Sequence, residues 1–453
     1  MSPIILLLAG LAAVAPLPPD SQPVAIVNVN VLPMDRERVL ENYTVVVRNG
    51  RIVSFGPAAD VRVPSGAVRI DGRGKYLMPG LAEMHGHLPN PGAPGTTPEL
   101  TEAVLFLYVA NGVTTVRGMQ GNPGALELRA RIARGEVTGP RLWVAGPQLS
   151  GNAVRTVADA RRMVEEQKAA GYDLLKIQEG LAAAVYDTIA ATAKRVGITF
   201  AGHVPDAITL AHAVTSGQIS VDHLDNFLLA LERDDSPIRN ADAATRGQQL
   251  AFHLDESKLP GVVAPVKARG AWNVPTMALW ETFNSTPLDS LTARPELRYM
   301  PRQLVATWTQ NVTNSRRNNP NVEAGLAVTA WRRKILKALS DSGARIILGT
   351  DSPQLFSVPG FSIHREVRVM RESGMTPFQI LESGTRRVAE YFGTDEFGTV
   401  GNGKRADLLL LDGNPLQDLG NLARRSGVMV NGRWVAEREI QDRLQRLARA
   451  FAP

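Results

Sequence analysis

Between residues 80 and 385 the chain repeats one unit eight times, an apolar run followed by a stretch with helical spacing. The cores run from Leu81 to Leu88, Val113 to Met119, Arg141 to Gly146, Asp173 to Gln178, Ile198 to Val204, Ser220 to Leu224, Trp272 to Met277 and Arg345 to Asp351. Strands that alternate with helices pair in parallel, because the crossover helix returns each strand to the same end of the sheet. Eight such units over roughly 300 residues meet the requirement of a (β/α)8 TIM barrel. In that architecture the chemistry sits at the C-terminal ends of the strands. The residues found there are His85 and His87 on the first strand, Lys176 on the fourth, His203 on the fifth, His223 on the sixth and Asp351 on the eighth.

The flanks read differently. Val24 to Val31, Tyr43 to Arg48, Arg51 to Phe55 and Ala67 to Ile70 alternate as short strands, with Asn49-Gly50 as a hairpin turn between β-branched runs. The pattern returns after residue 395, in Gly398 to Leu411, then Val428 to Val430, and Asn431-Gly432 before Arg433 to Val435. The expected architecture is therefore α/β: a barrel over 80–385 and a small composite β-sandwich from 21–79 plus 386–440, followed by a helical tail over 441–453. Residues 1–20 carry an apolar run ending in Ala13-Val-Ala15 before Pro16, too short to span a bilayer and shaped like a secretory signal peptide. Export is the expected destination, although no Lys or Arg precedes the apolar run; a mis-chosen start or an uncleaved anchor reads the same way.

Composition narrows the chemistry. The chain has no cysteine, which excludes disulfides, thiolate metal sites and a cysteine nucleophile. A metal would have to be held by His, Asp, Glu or a modified Lys. The net charge of +6 is spread over short pairs such as Arg161-Arg162 and Arg316-Arg317 rather than a basic stripe, so no nucleic-acid partner is expected.

Each candidate has a physical reason and a plainer alternative. Residues i and i+2 of a strand point to the same face, so His85 and His87 can grip one ion, yet such a pair also arises by chance. Lys176 lies in the apolar run Asp173-Leu-Leu-Lys-Ile177, where a free ammonium is costly unless it sits at an edge. His203 and His223 end consecutive strands, where a lone histidine is usually a satisfied core residue. Asp351 ends the apolar run Ile346-Ile-Leu-Gly-Thr-Asp351 and could instead form a turn before Ser352-Pro353.

The ordered set settles these readings together. Pro79-Gly-Leu-Ala-Glu-Met-His-Gly-His87, Asn111-Gly-Val-Thr-Thr-Val-Arg117, Tyr172-Asp-Leu-Leu-Lys-Ile177, Gly202-His-Val204, Asp222-His223, Leu348-Gly-Thr-Asp351 and Gly403-Lys-Arg-Ala-Asp-Leu408 resemble the amidohydrolase superfamily. The closer likeness is to the imidazolonepropionase-related branch that includes Xaa-Pro dipeptidases. The resemblance implies two divalent metal ions, zinc by preference, with His85, His87 and Asp351 on the more buried one and His203 and His223 on the more exposed one. It further implies that Lys176 is carboxylated on Nζ and bridges them, and that Asp351 is general base and acid. Arg117 and His364 are expected to support the centre or contact substrate, His364 being equally readable as a helix cap. Gly118 departs from the family pattern, where Asp usually follows the arginine.

The expected function is hydrolysis of an amide in a dipeptide or N-acyl amino acid. Cyclic amides, lactones and phosphotriesters are the alternative on the same centre, and a non-catalytic scaffold is the remote one. The partners expected are that small-molecule substrate and further copies of the chain. Specificity is left to the long stretches 225–271 and 278–344, expected to form a lid with Trp280, Tyr299, Trp308, Arg302 and Arg316 as candidate walls.

Overall fold

The computed structural model describes residues 22–90 and 96–452, so the expected signal segment lies outside the described residues. The strands run in chain order as β1 (Val24–Val31), β2 (Leu40–Arg48), β3 (Arg51–Pro57), β4 (Val68–Asp71), β5 (Tyr76–Pro79), β6 (Leu81–Gly86), β7 (Val113–Gly118) and β8 (Arg141–Val144). They continue as β9 (Leu174–Ile177), β10 (Thr199–Gly202), β11 (Ser220–Asp222), β12 (Trp272–Val274), β13 (Arg345–Ile346), β14 (Leu408–Leu411), β15 (Arg425–Val430) and β16 (Arg433–Ala436).

All eight expected barrel strands form, as β6 to β13, and they pair in parallel in sequence order. Their ladders fall into two arcs, β6-β7-β8 and β9 through β13, instead of one unbroken eight-stranded ring. Isolated contacts join the arcs at both seams. Ala145 bridges to Leu174 on one side and Gly86 to Ser352 on the other, and Asp351 N–H donates to the His85 carbonyl at 2.8 Å. The strands are short because the chain bends away at the site: His223, Thr276 and Asp351 all take φ between 47° and 62°. That left-handed conformation is uncommon for residues with a Cβ and concentrates at functional positions.

The terminal segments meet as expected, but by hydrogen bonding they form a single mixed sheet, in the order β16-β15-β14-β5-β1-β2-β3 with β4 on β1, where a sandwich implies two. Both Asn-Gly turns close two-residue hairpins, Arg48 opposite Arg51 and Val430 opposite Arg433, with positive φ at Asn49, Gly50, Asn431 and Gly432. The sheet is apolar on both faces at β14. Leu408 and Leu410 join a core within the small domain, while Leu409 and Leu411 join the main core against the barrel helices. That alternation docks the small domain on the barrel. The C-terminal helix spans Glu437–Ala450, starting slightly before the expected tail.

Between β11 and β13 the long connections are helical, as expected, with helices at Ala243–Gln249, Met277–Asn284, Arg302–Asn318 and Val322–Ser342 among others. Glu366, buried on the Phe361–Glu372 helix, accepts the Met277 and Ala278 N–H groups at 2.8 and 2.7 Å and so ties the start of this insertion to the barrel.

Candidate metal centre

The six expected ligands converge at the C-terminal strand ends. Asp351 is the hub: its Oδ1 lies 2.9 Å from His87 Nε2 and 3.7 Å from His85 Nε2, and its Oδ2 lies 3.7 Å from His223 Nε2. The His85 and His223 rings are 4.4 Å apart, and His203 and His223 stack at 4.5 Å. Lys176 Nζ sits 3.1 Å from His85 Nε2. His85, Lys176, His223 and Asp351 are buried, while His87 and His203 are half-buried toward the mouth.

Backbone space makes this convergence feasible. Gly202 has φ of +122°, and a Cβ there would stand 2.5 Å from the Ile177 carbonyl oxygen and 2.8 Å from Lys176 Cδ. Only glycine lets β10 turn His203 into the site beside the lysine chain. At Gly349 a Cβ would stand 2.8 Å from the His85 backbone nitrogen, so the strand that carries Asp351 can close on β6.

A polar side chain of the fold stands against one nitrogen of each of three imidazoles. Asp222 approaches His85 Nδ1 at 2.8 Å, Asp225 meets His203 Nδ1 at 2.8 Å and Thr276 Oγ1 meets His223 Nδ1 at 2.8 Å. Engaging Nδ1 leaves Nε2 as the free donor, the usual way a carboxylate or hydroxyl orients a metal-binding histidine. His223 Nε2 is buried without a hydrogen-bond partner, which is costly unless another ligand answers it. The donor atoms of His85, His87 and Asp351 lie within 4.8 Å of one another, and so do those of Glu179, His203 and Asp225. Both sets offer nitrogen and oxygen only, the donor chemistry of zinc and similar divalent ions in a chain without cysteine.

The charges are arranged to match. Burial depresses His85 to about 4, with Lys176 adding to the effect, and His223 falls well below the usual imidazole value through burial and its imidazole neighbours. Burial also lowers Lys176. Burial alone would raise Asp351, but His85, His87 and His223 hold it well below the usual carboxylate range. The buried part of the centre thus combines two imidazoles that burial keeps from charging, His85 and His223, with a carboxylate and an amine that burial drives toward neutrality.

Arg117 is fully buried and does not reach the mouth. Its Nη2 donates to Asp222 at 2.9 Å, Nη1 to Ser220 Oγ at 2.9 Å and Tyr391 OH at 2.7 Å, and Nε to the Met84 carbonyl at 2.5 Å. It therefore positions Asp222, and through it His85, and is no substrate contact. At Gly118 a Cβ would come 3.0 Å from Leu88 Cδ1, so any side chain there requires Leu88 to shift slightly.

His364 stands apart from the cluster. Its Nε2 meets Asn111 Oδ1 at 3.2 Å, and burial, then Arg425 and Arg365, depress it to about 4. A histidine neutral in the fold but free to charge when unfolded destabilises the fold as pH falls from 6.5 toward 4, because the unfolded chain binds the proton first. His364→Gln is expected to flatten that part of the stability curve, read as thermal midpoints between pH 4 and 7. An unchanged slope would assign the acid sensitivity elsewhere.

Several partners are invisible in the strand-end pattern. Asp222 and Asp225 bracket His223, Glu179 follows Lys176 by three residues, and Thr276 lies two residues past β12, at the start of the Met277–Asn284 helix. Glu83, buried, accepts the His85 and Thr350 N–H groups at 2.9 and 2.8 Å and pins β6 to the Asp351 strand; burial raises it to about 8. Carboxylates one to three residues from a candidate ligand were the available signal. Of the candidate walls, Trp280 and Arg316 line a cavity, Tyr299 and Trp308 are buried in the core, and Arg302 is exposed at a helix start.

Eight parallel strands with a cluster of imidazoles, carboxylate and buried lysine at their C-terminal ends form a candidate metal site with nitrogen and oxygen donors. The chain belongs to the amidohydrolase family, hydrolases of carbon–nitrogen bonds, whose profile it matches over residues 76–435. Its fold is shared with a putative prolidase from Bifidobacterium longum (TM-score 0.68, 21% identity, covering 94% of this chain and 99% of that one). A Xaa-Pro dipeptidase with methionine bound in the active site aligns at TM-score 0.67 and 18% identity, over 92% of this chain and 100% of that one. The bottromycin amidohydrolase aligns at TM-score 0.74 and 21% identity, over 96% and 92%. At 18–21% identity these likenesses show a shared fold over nearly the whole chain. A dihydroorotase from Trichlorobacter lovleyi is 36% identical over 89 residues, a match that spans 19% of this chain and 19% of that relative's length.

Proposed function

We propose that this chain is a binuclear metal-dependent amidohydrolase that cleaves the amide bond of a dipeptide or N-acyl amino acid. The observation that carries the reading is the convergence of His85, His87 and His223 on Asp351, with Nε2 of each within 3.7 Å of its carboxylate and Lys176 Nζ 3.1 Å from His85 Nε2. His85, His87 and Asp351 would hold one divalent ion, and His203 and His223, with Asp225 orienting His203, the other. Zinc is the best match to these donors. Lys176, which burial shifts toward the neutral amine, is suited to take up carbon dioxide and become an anionic carbamate between the ions. Ions bound there would supply Lewis-acid activation of the water and the scissile carbonyl.

The chain's own residues do the rest. Asp351, unprotonated at neutral pH, takes the proton from the attacking water and delivers it to the leaving nitrogen. Asp222 and Thr276 keep the His85 and His223 rings from rotating, and Glu83 holds the two strands that carry the acid and the first histidine at a fixed separation.

The test is elemental analysis of the purified protein with a hydrolysis panel. About two ions per chain are expected, together with an added mass of one carbon dioxide on the Lys176 peptide. Turnover of dipeptides or N-acyl amino acids should disappear on chelation and return with zinc. Cyclic amides, lactones and phosphotriesters belong in the panel because the same centre would polarise them. Less than one ion per chain with no turnover of any panel member would sink the proposal.

A further inference from the structure

Within the helical insertion lies a cavity of about 540 Å³, partly open to solvent, and none of the six candidate metal ligands lines it. Its wall comes from the Ala243–Gln249 helix, the Met277–Asn284 helix with the loop that follows, and the junction between the Arg302–Asn318 and Val322–Ser342 helices. The volume is in the range of small-molecule sites.

The wall is selective in its chemistry. Arg316 is the one charged residue in the lining, with no Asp or Glu beside it. Among the described residues Arg316 bonds through Nη2, to the Thr282 and Thr286 carbonyls. Trp280 Nε1 and Asn284 Nδ2 are buried and have no hydrogen-bond partner among the described residues. Native proteins leave few buried donors unanswered. Both groups are donors on residues that line the cavity, and with Arg316 as its charge the wall favours an anionic occupant that brings acceptors. The rest of the wall includes Phe283, Val322 and Val328, and one turn beyond Val322 lies Leu326. Val322 and Leu326 are 67% and 51% exposed, an apolar lip left open to solvent.

The cavity also borders the metal centre through one side chain. The Arg332 guanidinium covers the Trp280 ring at 3.6 Å and, buried, donates Nη1 to the His223 carbonyl.

We propose that this cavity is a second binding site, separate from the metal centre, for an apolar carboxylate the size of an N-acyl amino acid, with Arg316, Asn284 and Trp280 as its polar contacts. The carboxylate pairs with Arg316 and accepts from Asn284, while the apolar body lies along Phe283 and Val322. The site does not depend on hydrolysis, so it stands or falls apart from the proposed activity.

Calorimetry on the full chain after metal removal tests it, with N-acetyl-L-phenylalanine as the probe. One molecule should bind per chain. Arg316→Met should weaken binding by roughly tenfold or more, the loss expected for one charge-assisted contact. N-acetyl-L-phenylalaninamide, which lacks the carboxylate, should bind more weakly by a similar factor. Because Arg316 also braces the end of the Met277–Asn284 helix and the loop after it, Val322→Trp is the companion variant: it fills the cavity from its exposed lip, and should abolish binding with the thermal midpoint unchanged. No binding by the wild-type chain, equal binding of acid and amide, or binding that survives Val322→Trp would overturn the proposal.

Discussion

Asp351→Asn is expected to lower kcat/KM for the amide substrate by roughly two to four orders of magnitude, the range for loss of a general acid–base group. Asparagine keeps the size and one oxygen of Asp351 but cannot accept the proton of the attacking water. In the native site the surrounding histidines hold this acid well below the usual carboxylate range, so it is ready to act as a base at neutral pH. Because the same carboxylate lies within reach of His85, His87 and His223, the variant must be compared at matched metal content. Full activity in a variant that holds its metal would remove Asp351 from the proton transfer and leave it a structural role.

The second large effect is on stability. Arg117→Leu should destabilise the fold by about 3–5 kcal/mol, since it strips the countercharge from a buried carboxylate. Burial alone would raise Asp222, but Arg117, then His85, hold it well below the usual range. Stability from a carboxylate lowered in this way is present above its unfolded value and is lost as pH falls through the folded one. Without Arg117, Asp222 must either stay charged in a dry site or take up a proton, and Ser220 and Tyr391 lose their shared donor. Urea unfolding of Arg117→Leu, Asp222→Asn and the pair measures this directly. The double variant should recover part of the loss, because a neutral amide needs no countercharge. Strict additivity would show that the pair is not coupled.

The ordered placement of His85, His87, Lys176, His203, His223 and Asp351 was legible because a barrel strand exposes its end residues to one shared space, whatever the loops do. Likewise the two Asn-Gly turns declare themselves, as few other residue pairs tolerate positive φ at both positions. Arg117 was legible as important and not as to role. An arginine in an apolar strand can point into the barrel wall or out to the mouth, and the choice rests on Asp222, Ser220 and Tyr391, the last 274 residues away. His364 misled for a related reason: nearness in sequence to the Asp351 strand end says nothing about which side of its helix faces the site, and that side faces Asn111 and Arg425.

The chain alone indicated the class of fold and the candidate ligands, since periodicity places strands, strand ends gather the candidates, and the family resemblance suggests their roles. It also determined that any metal here is held without sulfur. Only the tertiary structure decided which nitrogen each histidine offers, for Asp222, Asp225 and Thr276 reach their imidazoles as partners that folding brings together. It alone decided that the small domain is one sheet, that the barrel ladder breaks into two arcs, and that Trp280, Asn284 and Arg316 share a cavity. Such features depend on where distant segments meet, and local sequence carries no record of a meeting that packing alone brings about.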